Sequence, residues 1–437
     1  MCLEFWFEFL KTAIDAIGPG FLVAKELFKL AIGKQIQERL RMQFKVTLLF
    51  ALLVFGNSNS AAIGLATDSP WDIEQLFQVP KWEKTQAAAK PGMTGLLYDA
   101  IPVRGKRVQA FAYYRSPEGT APEGGWPAVV CVHGGGGTAF DVWVKKWNDH
   151  GYAAISMDLE GHFPKGSPSR MENPGLKRLG IFKNYQDPIE QQWYYHAVAQ
   201  AIQAHSLIRS FPEVNADKIG LTGISWGGTL TSTIMGLDSR FKFAIPVYGC
   251  GFLPESDGNQ GMAIKPGEYS DFVNKYYDGS AYFSKVTYPT LWVNGTNDTH
   301  FPMPSTQKSS QAVAGLAILR FELRMSHGHG AGWRPAEIYA FADSIVKDGL
   351  PLPKLTPPKI EGDQVTSSFV STAKITKSQL LYTRDSGLWP QRKWETAPAK
   401  TSAAEINAIV PEGATVLFFN LTDERGLLVS SEFIQIK

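Results

Sequence analysis

"ADKIGLTGISWGG", residues 216–228, passes from a charged start through an apolar run to a serine with a glycine two places before it and two places after. Its end, GISWGG at 223–228, fits G-x-S-x-G with one further glycine. That pattern also arises by chance in ordinary glycine turns, so its weight comes from what flanks it. KIGLTGIS (218–225) reads as a strand and TLTSTIMGLD (229–238) as a helix. A sharp strand-to-helix turn needs small neighbours, and it presents the serine hydroxyl at a helix N-terminus, where the dipole favours developing negative charge. Ser225 is therefore the candidate nucleophile.

Working outward, strand-like segments alternate with helix-like ones from about residue 96. GLLYDAIPV and KRVQAFAYY flank Arg104-Gly105, a hairpin signal. Then come AVVCVHG (128–134), YAAISMDLEG (152–161), KIGLTGIS (218–225), FAIPVYGCG (243–251), PTLWVNGT (289–296) and AILRFELRM (317–325). Most are continuous apolar runs, as expected of strands covered on both faces. Between them lie AFDVWVKKWNDHG, closed by Gly151, and EQQWYYHAVAQAIQAHSLI, both helical in pattern. The alternation predicts an α/β fold, a mostly parallel sheet with crossover helices on both faces.

The last of these helices, RPAEIYAFADSIVKDG, is expected to begin at Pro335 and stop at Gly349. LPLPKLTPPKIEG follows with four prolines, and 351–362 reads as a linker. Residues 363–437 change character: QVTSSFVST, SQLLYTRD, ATVLFFNLTD and VSSEFIQIK are short strand-like runs separated by turn residues, which predicts a small C-terminal β-sandwich.

At 437 residues and 44% hydrophobic content the chain can bury a large core. Lys and Arg number 43 against 41 Asp and Glu, and a net charge of +2 gives no electrostatic case for nucleic acid or a membrane surface. The expected partner is a small-molecule or polysaccharide substrate. MQFKVTLLFALLVFGNSNSAA (42–62) carries one lysine, an apolar run from Val46 to Phe55 and a small-residue end, the pattern of a secretory signal peptide too short to span a bilayer. It begins 41 residues into the chain, so 1–41 reads as a misassigned upstream leader, with an amphipathic helix or membrane anchor as the alternative. Residues 63–95 form an N-terminal segment before the catalytic domain at 96–350. The expected location is secreted or periplasmic, with no stable membrane insertion after cleavage.

A serine hydroxyl attacks well only when a base takes its proton and a third group orients that base. NGTNDTHF offers Asp298 on the loop leaving the next-to-last strand, and RMSHGHGAGW (324–333) offers His327 and His329 after the last. Residues two apart in an extended stretch point to similar sides, so alternation leaves both histidines open.

The order serine, acid, histidine is that of the α/β-hydrolase fold. With ADKIGLTGISWGG and NGTND in place, residues 96–350 resemble the group spanning acetyl xylan esterases, dienelactone hydrolases and prolyl oligopeptidases. The resemblance implies a Ser225, Asp298 and histidine triad, and GHGAG (328–332) resembles the catalytic-histidine segment of prolyl oligopeptidases, which assigns His329 as the base and leaves His327 to loop packing. An oxyanion needs backbone donors; the Trp226 amide follows the nucleophile, and in VHGGGG the resemblance selects Gly135 as the second. The family sheet order would also place the Ser225 strand between those bearing Cys131 and Cys250, roughly 9–10 Å apart and beyond disulfide reach.

The long insertion LEGHFPKGSPSRMENPGLKRLGIFKNYQDPIEQQWYY could shape a substrate pocket. His162 at its start could face the site or pack at the surface. Trp193 could offer a sugar a stacking face or simply belong to the core, and His300, two after Asp298, reads as a loop residue. Asn294, Asn297 and Asn420 satisfy N-x-S/T. Glycans flanking Asp298 would crowd the loop, which favours an export route without N-glycosylation, such as a bacterial one. No histidine or cysteine spacing suggests a metal site, and triad hydrolysis needs no cofactor.

The leading expectation is a secreted serine esterase acting on acetylated carbohydrate. A prolyl-oligopeptidase-like peptidase is the first alternative, weakened because residues 63–95 cannot supply the propeller usual in that family. A non-catalytic binding protein on the same scaffold is the second.

Overall fold

The computed structural model describes residues 69–436 except 168, within the compact unit Thr67–Lys437. The leader and signal peptide expected at 1–62 lie outside the described residues. After a short helix at Ile73–Leu76, the described residues form β1 (Trp82–Thr85), β2 (Thr94–Val103) and β3 (Lys106–Arg115), paired antiparallel. Arg104 (φ 50°) and Gly105 (φ 73°) form the two-residue turn between β2 and β3, both on the positive-φ side that a tight hairpin favours.

Six parallel strands follow: β4 (Trp126–Val132), β5 (Ala153–Met157), β6 (Val214–Ile224), β7 (Phe243–Val247), β8 (Thr290–Gly295) and β9 (Ala317–Glu322). Their order in space is β5-β4-β6-β7-β8-β9, flanked by β1-β2-β3 on the β5 side. Every residue of β5, β7 and β8 is buried, which is why these segments are largely apolar rather than alternating. The crossover helices Asp141–Asp149, Trp193–Arg209, Trp226–Leu237 and Ala336–Val346 cover the sheet. Pro335 stands at the N-cap of the last, one place earlier than expected. Cys131 and Cys250 are buried free thiols on opposite sides of β6.

The C-terminal segment is all-β, as expected, and its strands fall in two sheets. β13 (Ile375–Thr383), β14 (Trp394–Pro398), β17 (Val416–Asp423), β18 (Leu428–Ser430) and β19 (Ile434–Gln435) join the main sheet, which reaches 14 strands because β18 pairs antiparallel with β9 through Ser430 and Leu319. A second sheet of five strands holds β12 (Gln364–Val370), β15 (Lys400–Thr401) and β16 (Glu405–Ile409). Its other two, β10 (Lys354–Leu355) and β11 (Lys359–Glu361), come from the stretch expected to be a linker. Proline there removes backbone donors, yet short edge strands tolerate it. Val365 and Ile406 of the small sheet share one apolar core with Leu380 and Phe418 of the large one, so the C-terminal strands pack sheet against sheet.

All three N-x-S/T asparagines are internal. Asn294 Nδ2 donates to the Phe301 carbonyl (2.6 Å) and Thr306 Oγ1 (2.8 Å), and Asn420 Nδ2 to the Phe321 carbonyl (3.1 Å). Asn297 Nδ2 donates to the carbonyls of Pro390 (3.0 Å) and Arg392 (2.7 Å). A glycan on Asn294 or Asn297 would replace a hydrogen already committed to the fold.

Candidate active site

Ser225 leaves β6 at φ 59° and ψ −119°, a conformation an L-residue adopts only when its surroundings enforce it. Its amide donates to the Val247 carbonyl of β7 (2.9 Å), and its carbonyl receives the Thr229 amide of the following helix (3.1 Å). The flanking glycines permit the turn. A Cβ on Gly223 would collide with the Gly227 carbonyl, one on Gly227 with the Val132 carbonyl of β4, and one on Gly228 would stand 2.6 Å from the Val247 oxygen. The glycine pattern is thus a packing requirement of the strand-to-helix turn.

The residues brought to the Ser225 hydroxyl are His327 and Asp298. His327 Nε2 lies 2.8 Å from Ser225 Oγ, and His327 Nδ1 lies 2.6 Å from Asp298 Oδ2. Asp298 is 2% exposed, and its other oxygen receives the amides of His300 and Phe301, both at 2.8 Å. Nδ1–H donating to the carboxylate leaves Nε2 as the free lone pair facing the hydroxyl. The Tyr248 hydroxyl donates to the Ser326 carbonyl (2.8 Å), and its ring lies 4.6 Å from that of His327.

His329, the expected base, is elsewhere. Its Nε2 accepts the Gly134 amide (3.0 Å), and its ring packs at 4.6 Å from Phe140. Burial, with smaller contributions from His133 and His327, pushes its pKa down to about 4, so it is a neutral acceptor. The expectation failed because the loop is not extended: Gly332 bonds back to Gly328, and a short helix begins at His329. That turn separates the two rings.

His329 also orders the glycine loop. The Gly134 amide is engaged by His329, the Gly136 amide donates to Glu160 Oε1 (2.9 Å), and Gly137 donates to the Gly134 carbonyl (3.0 Å). Among the described residues the Gly135 amide has no acceptor. Gly135 lies against the Trp226 ring, and Trp226 opens its helix, where an amide has no partner one turn back. His133 completes the loop: its Nδ1 donates to the Gly134 carbonyl (2.7 Å) while Nε2 accepts the Leu159 amide (2.9 Å).

Two pocket expectations do not hold. His162 turns to Asp158, with Nδ1 3.1 Å from Oδ2 and its amide 2.9 Å from Oδ1, away from the cleft. Trp193 is 6% exposed and donates its indole N–H to the Leu159 carbonyl (2.6 Å), so its ring offers no free face. The cleft of about 390 Å³ over Ser225 is lined by Gly135, Trp226, Arg178, Ile181, Gln260 and His300, among others. His300 Nδ1 accepts from Gln260 Nε2 (2.9 Å), and its ring lies 4.5 Å from that of His327. Arg178 and Gln260 had no signal in the sequence, since Arg178 lies in an irregular stretch and Gln260 in a one-turn helix (Asn259–Met262), with no motif around either.

The C-terminal strands reach this site from behind. Asn297, beside Asp298, holds the Pro390 and Arg392 carbonyls, and the Trp389 amide donates to Asp257 Oδ2 (2.9 Å). Among the described residues no group of three or more His, Cys, Asp or Glu stands together as a metal site, and no helix is long and apolar enough to cross a membrane.

Residues 95–277 match the family model for acetyl xylan esterase (AXE1). The strand order and crossovers described above are those of the α/β-hydrolase fold. The match covers the strands from β2 through β7 and the serine turn, and supports an esterase-type hydrolase over this segment. Among solved structures, this α/β-hydrolase is similar to acetyl xylan esterase from Paenibacillus sp. R4, at 22% identity and TM-score 0.47 over 59% of this chain and 87% of that one. It is also similar to acetyl xylan esterase 1 from Thermoanaerobacterium sp. JW/SL YS485, at 17% identity and TM-score 0.46 over 60% and 90%. A puromycin-hydrolyzing peptidase of Mycobacterium tuberculosis aligns at 18% identity and TM-score 0.44 over 59% and 40%.

Proposed function

We propose that this hydrolase is a secreted serine esterase that removes acetyl or similar small acyl groups from carbohydrate through an acyl-enzyme. The observation that carries the reading is the continuous hydrogen-bonded line from Ser225 Oγ to His327 Nε2 (2.8 Å) and from His327 Nδ1 to Asp298 Oδ2 (2.6 Å). His327 takes the serine proton as Oγ attacks the ester carbonyl, and Asp298 stabilises the imidazolium that forms. The amides of Gly135 and Trp226 receive the oxyanion; removing one such donor typically costs on the order of 100-fold in rate or more. His327 then returns the proton to the departing alcohol, and a water activated by the same imidazole frees the acid. No metal or cofactor enters these steps.

The acetyl xylan esterase match over 95–277 supports an ester rather than an amide as substrate. Assay of acetylated xylan, aryl acetates and peptide amides with wild type and Ser225→Ala tests the proposal. Serine-dependent release of acetate is expected. Serine-dependent cleavage of amides alone would favour the peptidase, and no serine-dependent turnover would leave a binding role.

A further inference from the structure

Arg178 projects its guanidinium into the cleft from the long insertion, and the fold leaves most of its donors unspent. One terminal nitrogen donates to the Gly180 carbonyl (3.0 Å). Nε is buried without a hydrogen-bond partner, and the nearby carboxylate oxygen, Glu160 Oε1, stands 3.7 Å away while accepting the Gly136 amide. The guanidinium carbon lies 5.4 Å from the centre of the Trp226 ring. Its other terminal nitrogen would be 2.8 Å from a Cβ placed on Gly135. The cation therefore stands beside the proposed oxyanion donors.

Glu160 is the carboxylate beside Arg178, and it lies outside the cleft lining. No Asp or Glu side chain lines the cleft surface, and His329 is neutral because burial holds its pKa at about 4. Across the cleft, Gln260 Oε1 is buried and unpartnered, an acceptor available to a hydroxyl. A half-buried guanidinium with Nε and one terminal nitrogen free of acceptors matches a carboxylate, and the buried Nε donor is costly until such a partner arrives.

We propose that Arg178 anchors a carboxylate carried by the substrate, so that the preferred esters are those of acidic molecules. This rests on the esterase reading above and adds the substrate class. The carboxylate belongs either to the alcohol part, as in an O-acetylated uronic acid residue, or to the acyl part, as in a dicarboxylic acid half-ester.

The test compares kcat/KM on four soluble esters: methyl O-acetyl-glucuronoside against methyl O-acetyl-xyloside, and 4-nitrophenyl hemisuccinate against 4-nitrophenyl acetate. Wild type should favour the acidic member of at least one pair roughly 10- to 100-fold, as a charge-assisted hydrogen bond provides. The favoured pair tells on which side the carboxylate sits. Added salt should shrink the ratio, and Arg178→Gln should bring it close to one while Arg178→Lys keeps part of it. Wild type that treats the neutral members as well or better overturns the anchor and leaves the esterase reading standing. If no ester is turned over, the esterase reading fails separately. Calorimetric binding of glucuronate against xylose to Ser225→Ala then decides the anchor alone: equal affinity overturns it, and a preference lost on adding Arg178→Gln supports it.

Discussion

Replacing His329 with alanine removes the acceptor of the Gly134 amide and the ring packed on Phe140, while leaving Ser225, His327 and Asp298 in place. An unsatisfied buried amide costs about 1–3 kcal/mol, so the variant should unfold at a clearly lower denaturant concentration. Its kcat/KM on 4-nitrophenyl acetate should stay within about tenfold of wild type, the loss reflecting a looser glycine loop. His327→Ala should lose about 10⁴-fold or more with little change in stability, as removal of a base from such a constellation does. The acid side adds an independent readout. His329 has a folded-state pKa of about 4, below the unfolded value of roughly 6.5, so the unfolded chain takes up the proton first. Its contribution is complete above pH ~6.5 and is lost as pH falls towards about 4, amounting to about 2 kcal/mol after allowance for its partial exposure. His329→Gln keeps an acceptor without a titrating ring, so its stability should fall less steeply over that window. Urea denaturation at several pH values and steady-state kinetics measure all of this. The reasoning is refuted if well-folded His329→Ala is inactive while His327→Ala retains turnover.

Further expectations concern the framework. Gly227→Ala drives a methyl group into the Val132 carbonyl and should lower stability by about 3 kcal/mol or more, whereas Gly330→Ala, with open space around its Cβ, should stay within about 0.5 kcal/mol by thermal melting. Asn297→Ala unpairs the Pro390 and Arg392 carbonyls; about 2 kcal/mol of stability should go, with a fall in kcat larger than any rise in KM because the acid loop is loosened. Burial raises both the Cys131 and Cys250 thiols well above their ordinary range, so a thiol reagent should label neither until the protein unfolds; rapid labelling of the native state would count against this core.

The sheet was readable because strands buried on both faces are largely apolar, and the serine turn because three carbonyls forbid a Cβ at Gly223, Gly227 and Gly228. Which histidine meets Ser225 was not readable: it depends on a short helix starting at His329, set by the Gly332-to-Gly328 bond rather than by periodicity. The C-terminal strands were visible as strands, but their pairing was not, because joining β18 to β9 takes a contact between Ser430 and Leu319 over a hundred residues apart. Arg178 and Gln260 escaped for a related reason, since an irregular segment and a one-turn helix place side chains by tertiary contact. Trp193 misled in the opposite sense: its helix spacing fitted both core and cleft, and the Leu159 carbonyl settles it in the core.

The most direct test of the proposed triad is to mix enzyme with a short-lived excess of 4-nitrophenyl acetate, quench in acid within milliseconds, and locate any added acetyl group by mass spectrometry. Wild type is predicted to carry acetyl on Ser225, and His327→Ala none above background. Turnover by wild type with no acetyl on Ser225, or unimpaired acetylation of Ser225 in His327→Ala, would contradict the account.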